Sequence, residues 1–569
     1  MRFTLSAALM LFAVLLYAQP RPSQEESAGH SKTYFRYPLN IPVKLNANFG
    51  EMRPNHFHMG LDLFTQRKEN LPIYAAADGY VARIKIEPGG FGRAIYLNHP
   101  NGLTTLYAHM NDFMPELEEY VKEKQYEKES WQVDLDIPEA DFPVKKGTFI
   151  GYSGNTGGSQ GPHVHFEIRE TTTEKCLNPL MFDLNIPDKV PPDVYRLVVY
   201  NRNISTYEQS PLVYPLKKVQ GVYVPAGIIK VNTDKVVFAI QAADKMSGVP
   251  NANGIFEATL YKVAEALNGF KLARIGYDET RYLNAHTDYR IKNGGGPYYQ
   301  YLFPLPGNGL DIYRPSGGKP FFELPDTVVQ ALRIEVKDAY GNTSQVKFSV
   351  QRTGYWPVPA RPGYKMKAGE VNVYETENMQ VYLPENALYD SLNFTYTGFP
   401  NADPLAFSGI HHIHTYTVPV HANYTLRVKP DKIIPYHLRD RLLIKKITKN
   451  NISVKKAVWE LGWYKSDFRD FGIFQLIADT EPPQVISYSL KDGANLSKLS
   501  KLVVSVTDNY NQVKNFRAEL DGEWLMFSQR GNTFTYKFDE HCPRGEHELK
   551  ISVEDEAGNK TEKTFKFTR

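Results

Sequence analysis

Between residues 34 and about 186, apolar side chains gather in short runs at 71–77, 80–86, 94–97, 103–107, 149–152 and 163–168. Turn residues punctuate them, among them Asp78-Gly79, Gly89-Gly90 and Asn101-Gly102. Runs of this length between such turns predict an antiparallel, all-β unit. One stretch breaks the pattern. From Asp112 to about Glu129, an N-capping residue and Pro115 precede Leu117, Tyr120, Val121 and Lys124 at helical spacing. That spacing predicts a short acidic helix between two strands. The 112–140 insertion that carries it either shapes a cleft at that end of the unit or is a solvated excursion.

Beyond Asp188 the pattern changes and repeats. Lys-Val-Pro-Pro-Asp-Val at 189–194 is followed by Ala243-Asp244 and then by Asp338-Ala339-Tyr340-Gly341-Asn342. Glu-Pro-Pro-Gln-Val at 481–485 is followed by Thr507-Asp508 and then by Asp555-Glu556-Ala557-Gly558-Asn559. Each copy opens on a Pro-Pro linker and closes on an Asp-x-x-Gly-Asn turn that leads into an alternating strand, 345–350 or 563–567. Both predict immunoglobulin-type β-sandwiches, the first enlarged by a Gly/Pro/aromatic loop around 293–320. The resulting division is 30–186, 187–353, a strand-rich unit of unnamed type over 354–478, and 479–569. The fold class is mainly β.

At the N-terminus, Arg2 precedes an apolar run over 5–16 and then Tyr17-Ala18-Gln19-Pro20. A basic start, a short apolar stretch and a small residue at the break predict a secretory signal peptide over residues 1–18. A membrane anchor is disfavoured, because a bilayer-spanning helix needs ~20 residues. No later stretch reads as a transmembrane segment, so export and release are expected.

Composition narrows the classes. The 569 residues carry 66 basic and 63 acidic side chains, a net +3, which offers no footing for nucleic acid. A mean hydropathy of −0.43 argues against a polytopic membrane protein. The two cysteines, Cys176 and Cys542, are too far apart for a disulfide framework or a Cys-x-x-Cys metal site.

Chemistry concentrates in the front unit. His58-Met59-Gly60-Leu61-Asp62 supplies one ring nitrogen and one carboxylate, and Gly60 within it predicts a loop entering a strand. His163-Val164-His165 on a strand puts two imidazoles on one face, with Cα atoms roughly 6.5–7 Å apart. One of them suits a zinc ligand and the other suits contact with a water or substrate oxygen. By parity Val164, Phe166 and Ile168 face a core, while Glu167 shares the wet face with the histidines. Two histidines and one aspartate leave a tetrahedral position open, as in catalytic zinc sites. His56 and His99 read as loop residues, and the second His-x-His, His412 and His414, has no carboxylate at ligand spacing. Arg53 is expected to pair within the unit, and Cys176 to be a buried or unpaired thiol.

In order along residues ~45–180 stand F-G-x-x-R, H-M-G-L-D, Y-A-A-A-D-G-Y-V, T-L-Y-A-H-M, V-K-K-G and I-G-Y-S-G-N-T-G-G-S-Q-G-P-H-V-H-F-E-I-R. This series resembles the M23 (lysostaphin/LytM-type) zinc metallopeptidases. The resemblance implies an antiparallel β peptidase domain with zinc ligands His58, Asp62 and His165 and catalytic residues His109 and His163. It also implies a Zn2+ cofactor and peptidoglycan peptides as substrate. The insertion after His109 is longer than the family's usual link to the V-K-K-G turn. There is no His-Glu-x-x-His, so no helix-borne glutamate base, and imidazoles with an ordinary pKa near 6.5 suit the proton relay. We assign His163 to the attacking water and His109 to the developing oxyanion or leaving amine. The expectation is an exported zinc metalloendopeptidase cutting peptidoglycan cross-links in the periplasm or at the cell surface, with its C-terminal β domains open to envelope protein partners. The alternative is a catalytically silent relative that activates amidases or scaffolds the envelope; five filled His and Asp positions favour the enzyme.

Overall fold

The computed structural model describes residues 33–246, 251–315, 319–354, 361–401, 403–449 and 451–569. The expected signal peptide lies outside the described residues. Among those described, no helix is long and apolar enough to cross a membrane.

The chain is mainly β. In the front unit, the central sheet runs in the order Leu45–Ala47, Leu61–Phe64, His163–Glu170, Leu103–Ala108, Arg93–Asn98, Gly79–Ile86 and Val133–Asp136. Every neighbouring pair in it is antiparallel. Alternation does the sorting: Val164, Phe166 and Ile168 enter the same core as Leu61, Leu63 and Tyr107. A smaller sheet of Pro72–Tyr74, Phe149–Ser153 and Met110–Phe113 packs beside it.

The inserted helix forms over Pro115–Glu127. Its start differs from the sequence expectation. Asp112 does not cap it, because Asp112 is still paired in a strand opposite Tyr152. The N-cap is Met114, whose side chain makes no cap bond, and Glu118 reaches back to the backbone N–H of Phe113 (2.9 Å). Leu117 and Val121 bury their side chains in the front core. At about 1.5–3 kcal/mol for a fully buried side chain of this size, those two residues hold the helix down.

Three units follow, each built on two main sheets. In the second, the sheet containing Asp193–Asn201 and Lys235–Ala243 faces the sheet containing Gln330–Lys337 and Thr343–Arg352 across Phe238, Ile240, Ile334 and Val346. The third is built around Pro419–Val428 and Gly472–Ala478, and the fourth around Lys501–Thr507 and Glu546–Asp555. The second and fourth share a further detail: a short edge strand, Ile229–Val231 or Ala494–Asn495, runs parallel to the last strand.

The units are not strung out independently. Phe49, Phe57, Met59 and Cys176 of the front unit pack in the core of the second. Cys176 and Leu177 also pair with Ile275 and Arg274. The fourth unit returns to the inserted helix: Lys122 pairs with Asp539 (2.7 Å), Tyr126 stacks on His541 (3.7 Å between centroids), and Glu129 pairs with Arg517 (2.7 Å).

Candidate metal centre and active site

Sheet register assembles the site. His58 lies in the loop that enters Leu61–Phe64, and Asp62 on that strand is directly opposite His165 on His163–Glu170. Gly60 permits this: a Cβ there would stand 2.4 Å from the carbonyl oxygen of Phe166. His58 Nε2 and His165 Nδ1 each lie 2.9 Å from Asp62 Oδ1 and 3.0 Å from each other. Asp62 Oδ2 is taken by Arg53 Nη2 at 2.6 Å, so one carboxylate oxygen is left for the centre.

Hydrogen-bond partners set both tautomers. His58 Nδ1–H donates to the carbonyl of Asn48 (2.7 Å) and His165 Nε2–H donates to Glu167 Oε1 (2.8 Å). Both lone pairs therefore point at Asp62 Oδ1. Two imidazole nitrogens and one carboxylate oxygen, with ring tautomers locked from behind, could hold a divalent metal ion.

The electrostatics agree with that fit. Burial opposes ionisation of Asp62, but the neighbouring imidazoles outweigh it and hold the carboxyl well below its usual range. Burial also disfavours a charged His165, yet the bonds to Asp62 and Glu167 push its pKa up to about 9. A divalent ion held by these three residues would take the place of that proton.

Glu167 corrects the parity reading. It is not on a wet face: it is fully buried, and it accepts bonds from His165, Arg169 (2.6 Å), the Cys176 thiol (3.3 Å) and the Tyr277 hydroxyl. Tyr277 belongs to the second unit and covers this end of the strand. Arg169 stands over the Tyr277 ring at 4.8 Å, which completes the cover. The alternation H-x-H-x-E-x-R carried the signal for Glu167 and Arg169; nothing local pointed to Tyr277 or to the Asn48 carbonyl.

Two further histidines flank the centre. His109 joins Leu103–Ala108 in the large sheet to Met110–Phe113 in the small one and takes a left-handed conformation, φ 62°, as the chain changes sheets. Its Nδ1–H donates to the Thr156 carbonyl (2.9 Å). Burial, followed by repulsion from His163 and His165, lowers its pKa to about 3. His163 Nδ1–H donates to the Gly161 carbonyl (2.8 Å), and its Nε2 is 3.4 Å from Asp62 Oδ1. The two rings are 4.7 Å apart. Asp62, His109 and His163 border an open groove of about 790 Å3, together with Arg53, Phe64 and Arg67. On its rim, the Ser159 carbonyl accepts a bond from Arg530 of the fourth unit (3.2 Å).

The other histidines stand apart from the centre. His99 is buried and bonded to Thr105 (2.8 Å) and the Asp78 carbonyl (2.8 Å), His411 to Tyr396 (3.0 Å), and His414 to Thr395 (3.3 Å).

A family model described as peptidase family M23 matches residues 56–126 and 138–179, and one described as a Zu5-like domain matches 363–479. An uncharacterized metalloprotease of Haemophilus influenzae is 31% identical over 170 residues, 28% of this chain and 29% of that protein. The DD-carboxypeptidase/endopeptidase Mpg of Neisseria meningitidis serogroup B is 31% identical over 131 residues, 23% of this chain and 24% of that protein. Among solved structures, the catalytic domain of a mutant of the prophage-encoded M23 protein EnpA from Enterococcus faecalis is 22% identical. That match covers 26% of this chain and 95% of the other, with a TM-score of 0.19. The chain thus spans under a third of the length of these curated relatives. The front domain of this chain, over the matched residues 56–126 and 138–179 that carry the candidate metal-ligand motifs, belongs to peptidase family M23.

Proposed function

We propose that this protein is an exported zinc metalloendopeptidase that hydrolyses peptide cross-links in bacterial peptidoglycan, with His58, Asp62 and His165 holding the ion. The observation that carries the reading is the convergence of these three donors, both ring tautomers locked, on an open groove flanked by a second pair of histidines. The names of the relatives, a metalloprotease and a DD-carboxypeptidase/endopeptidase, support the reaction class.

When bound, zinc supplies a Lewis acid that polarises a carbonyl and lowers the pKa of water to about 7. The chain's own groups do the rest. Asn48 and Glu167 keep the two ligand rings oriented, and Arg53 keeps Asp62 from turning its second oxygen inward. His163 and His109 both spend Nδ1–H on backbone carbonyls, which leaves Nε2 of each as the nitrogen that can exchange a proton with substrate. His163 Nε2, close to Asp62, takes the proton of the attacking water. His109 is neutral in its buried position, so it serves the leaving amine only after the proton taken up by His163 has passed to it, the two rings being 4.7 Å apart. The carboxylate 3.4 Å from His163 is that of Asp62, which would be committed to the ion, so the relay runs through imidazoles.

The test is mass spectrometry of fragments released from peptidoglycan of defined composition by the full chain, with a zinc chelator and after zinc is restored. Release that stops with chelator and returns with zinc supports the reading. No release in zinc, or release indifferent to the chelator, overturns it.

A further inference from the structure

The repeated linker and turn carry a second kind of site. Asp188 stands three residues before Pro191-Pro192, and Asp479 three before Pro482-Pro483. Asp244 and Asp508 follow the strands Lys235–Ala243 and Lys501–Thr507, and Asp338 and Asp555 open the two Asp-x-x-Gly-Asn turns. The fold brings each set of three together. In Asp188, Asp244 and Asp338, and again in Asp479, Asp508 and Asp555, one carboxylate oxygen of each residue lies within 4.8 Å of the other two.

Both turns have the same geometry. Gly341 and Gly558 take φ of 89° and 88°, a conformation that side chains other than glycine's rarely adopt. Asn342 donates to Asp338 from its backbone (2.9 Å) and side chain (2.6 Å); Asn559 does the same for Asp555 (2.8 and 2.8 Å). Asp479 accepts from Asn509 Nδ2 (2.9 Å). One member of each cluster is left over. Asp244 is 2% exposed, and its Oδ1 has no hydrogen-bond partner; Oδ1 of Asp508, the equivalent residue, has none either. Lys245, next to Asp244 in the chain, is turned away to Asp193 (2.8 Å). Burial and the charges of Asp338 and Asp188 push the pKa of Asp244 up to about 7.

Three clustered carboxylates with an unpartnered buried oxygen are costly unless a cation joins them. The donors are all oxygen, with no imidazole or thiolate, which selects a hard ion. Carboxylates brought from three separate segments into an irregular cluster suit calcium better than magnesium, which demands a near-ideal octahedron. We propose that each cluster is a calcium site, and that the two ions clamp the second and fourth units onto the units that precede them. The place of the clusters argues for the clamp. Ala339, beside Asp338, packs against the front core, as does Met246 near Asp244. Ala557, near Asp555, packs with Leu443, Val454 and Ile477 of the third unit, and the Asp479 carbonyl accepts from Asn559 (3.1 Å). Each ion would join linker, strand end and turn at the seam.

The experiment uses the full chain, stripped with chelator, reloaded with zinc and then titrated with calcium chloride. Bound calcium is counted by equilibrium dialysis with elemental analysis, and the melting temperature is followed in parallel. Two calcium ions per chain are expected, one in Asp244→Asn, one in Asp508→Asn and none in the double variant. The asparagine variants remove a repulsive charge at nearly constant shape, so they should melt no lower than the parent in chelator and should no longer gain from calcium at the altered site. No stoichiometric binding at millimolar calcium, or two ions still bound by the double variant, overturns the proposal.

Discussion

Asp62 divides its carboxylate between Arg53 on one oxygen and the imidazoles of His58 and His165 on the other, so its geometry depends on both sides. The same holds for His165, whose ring is aimed by Glu167, itself held by Arg169 and Tyr277. Partners behind metal ligands typically contribute 10–100-fold in metal affinity. Glu167→Gln is therefore expected to weaken zinc binding by about 10–100-fold, and Tyr277→Phe in the same direction but less, measured by competition with a chromophoric chelator. Unchanged affinity in both variants would remove Glu167 from the site. His109→Ala should behave differently. It leaves the three ligands in place, so zinc should stay bound while turnover falls by about 10²–10⁴, the usual worth of a positioned acid or base. Near-native turnover of that variant would end its catalytic assignment.

At the scale of elements, the inserted helix is anchored from below by Leu117 and Val121 and from above by the fourth unit. Leu117→Ala should cost about 2–5 kcal/mol of front-unit stability by denaturant unfolding. The strands of the third unit carry a pH dependence. Burial lowers His411 and His414 to about 4, and burial with the charges of Arg469 and Arg281 does the same for His421. A histidine depressed in the folded state stabilises it above the unfolded pKa of about 6.5 and loses that contribution as pH falls towards 4. Unfolding of this unit should thus become easier between pH 7 and pH 5, by on the order of 1–2 kcal/mol per histidine. A His421→Gln variant should show a shallower slope in denaturant titrations, and an equal slope would mean the ring is not buried neutral.

Across the whole molecule, the front unit shares buried apolar packing with the second. Cutting after residue 186 would expose Phe49, Phe57, Met59 and Cys176 and remove Tyr277 from Glu167. At about 1.5–3 kcal/mol for each large apolar side chain exposed, the loss approaches the whole stability of a domain. Residues 30–186 alone should lose cooperative melting and high-affinity zinc binding, whereas 30–354 should keep both; a stable, zinc-loaded 30–186 fragment would refute the shared core. The β class, the helix between strands, the duplicated turns and the His-x-x-x-Asp and His-x-His pairs were legible in the chain, because alternation, turn residues and ligand spacing are properties of neighbours in sequence; His109 was singled out by the family resemblance. Register and burial were not. That Asp62 lies opposite His165, that Glu167 is covered rather than wet, and that Tyr277 closes the site from another unit depend on contacts between residues about a hundred positions apart. The same limit hid the clustering of three aspartates at each seam. Local pattern set which side chains could meet a metal or a core; only the packing of sheet against sheet decided which of them do, because buried charge is tolerated solely where the fold supplies its partners.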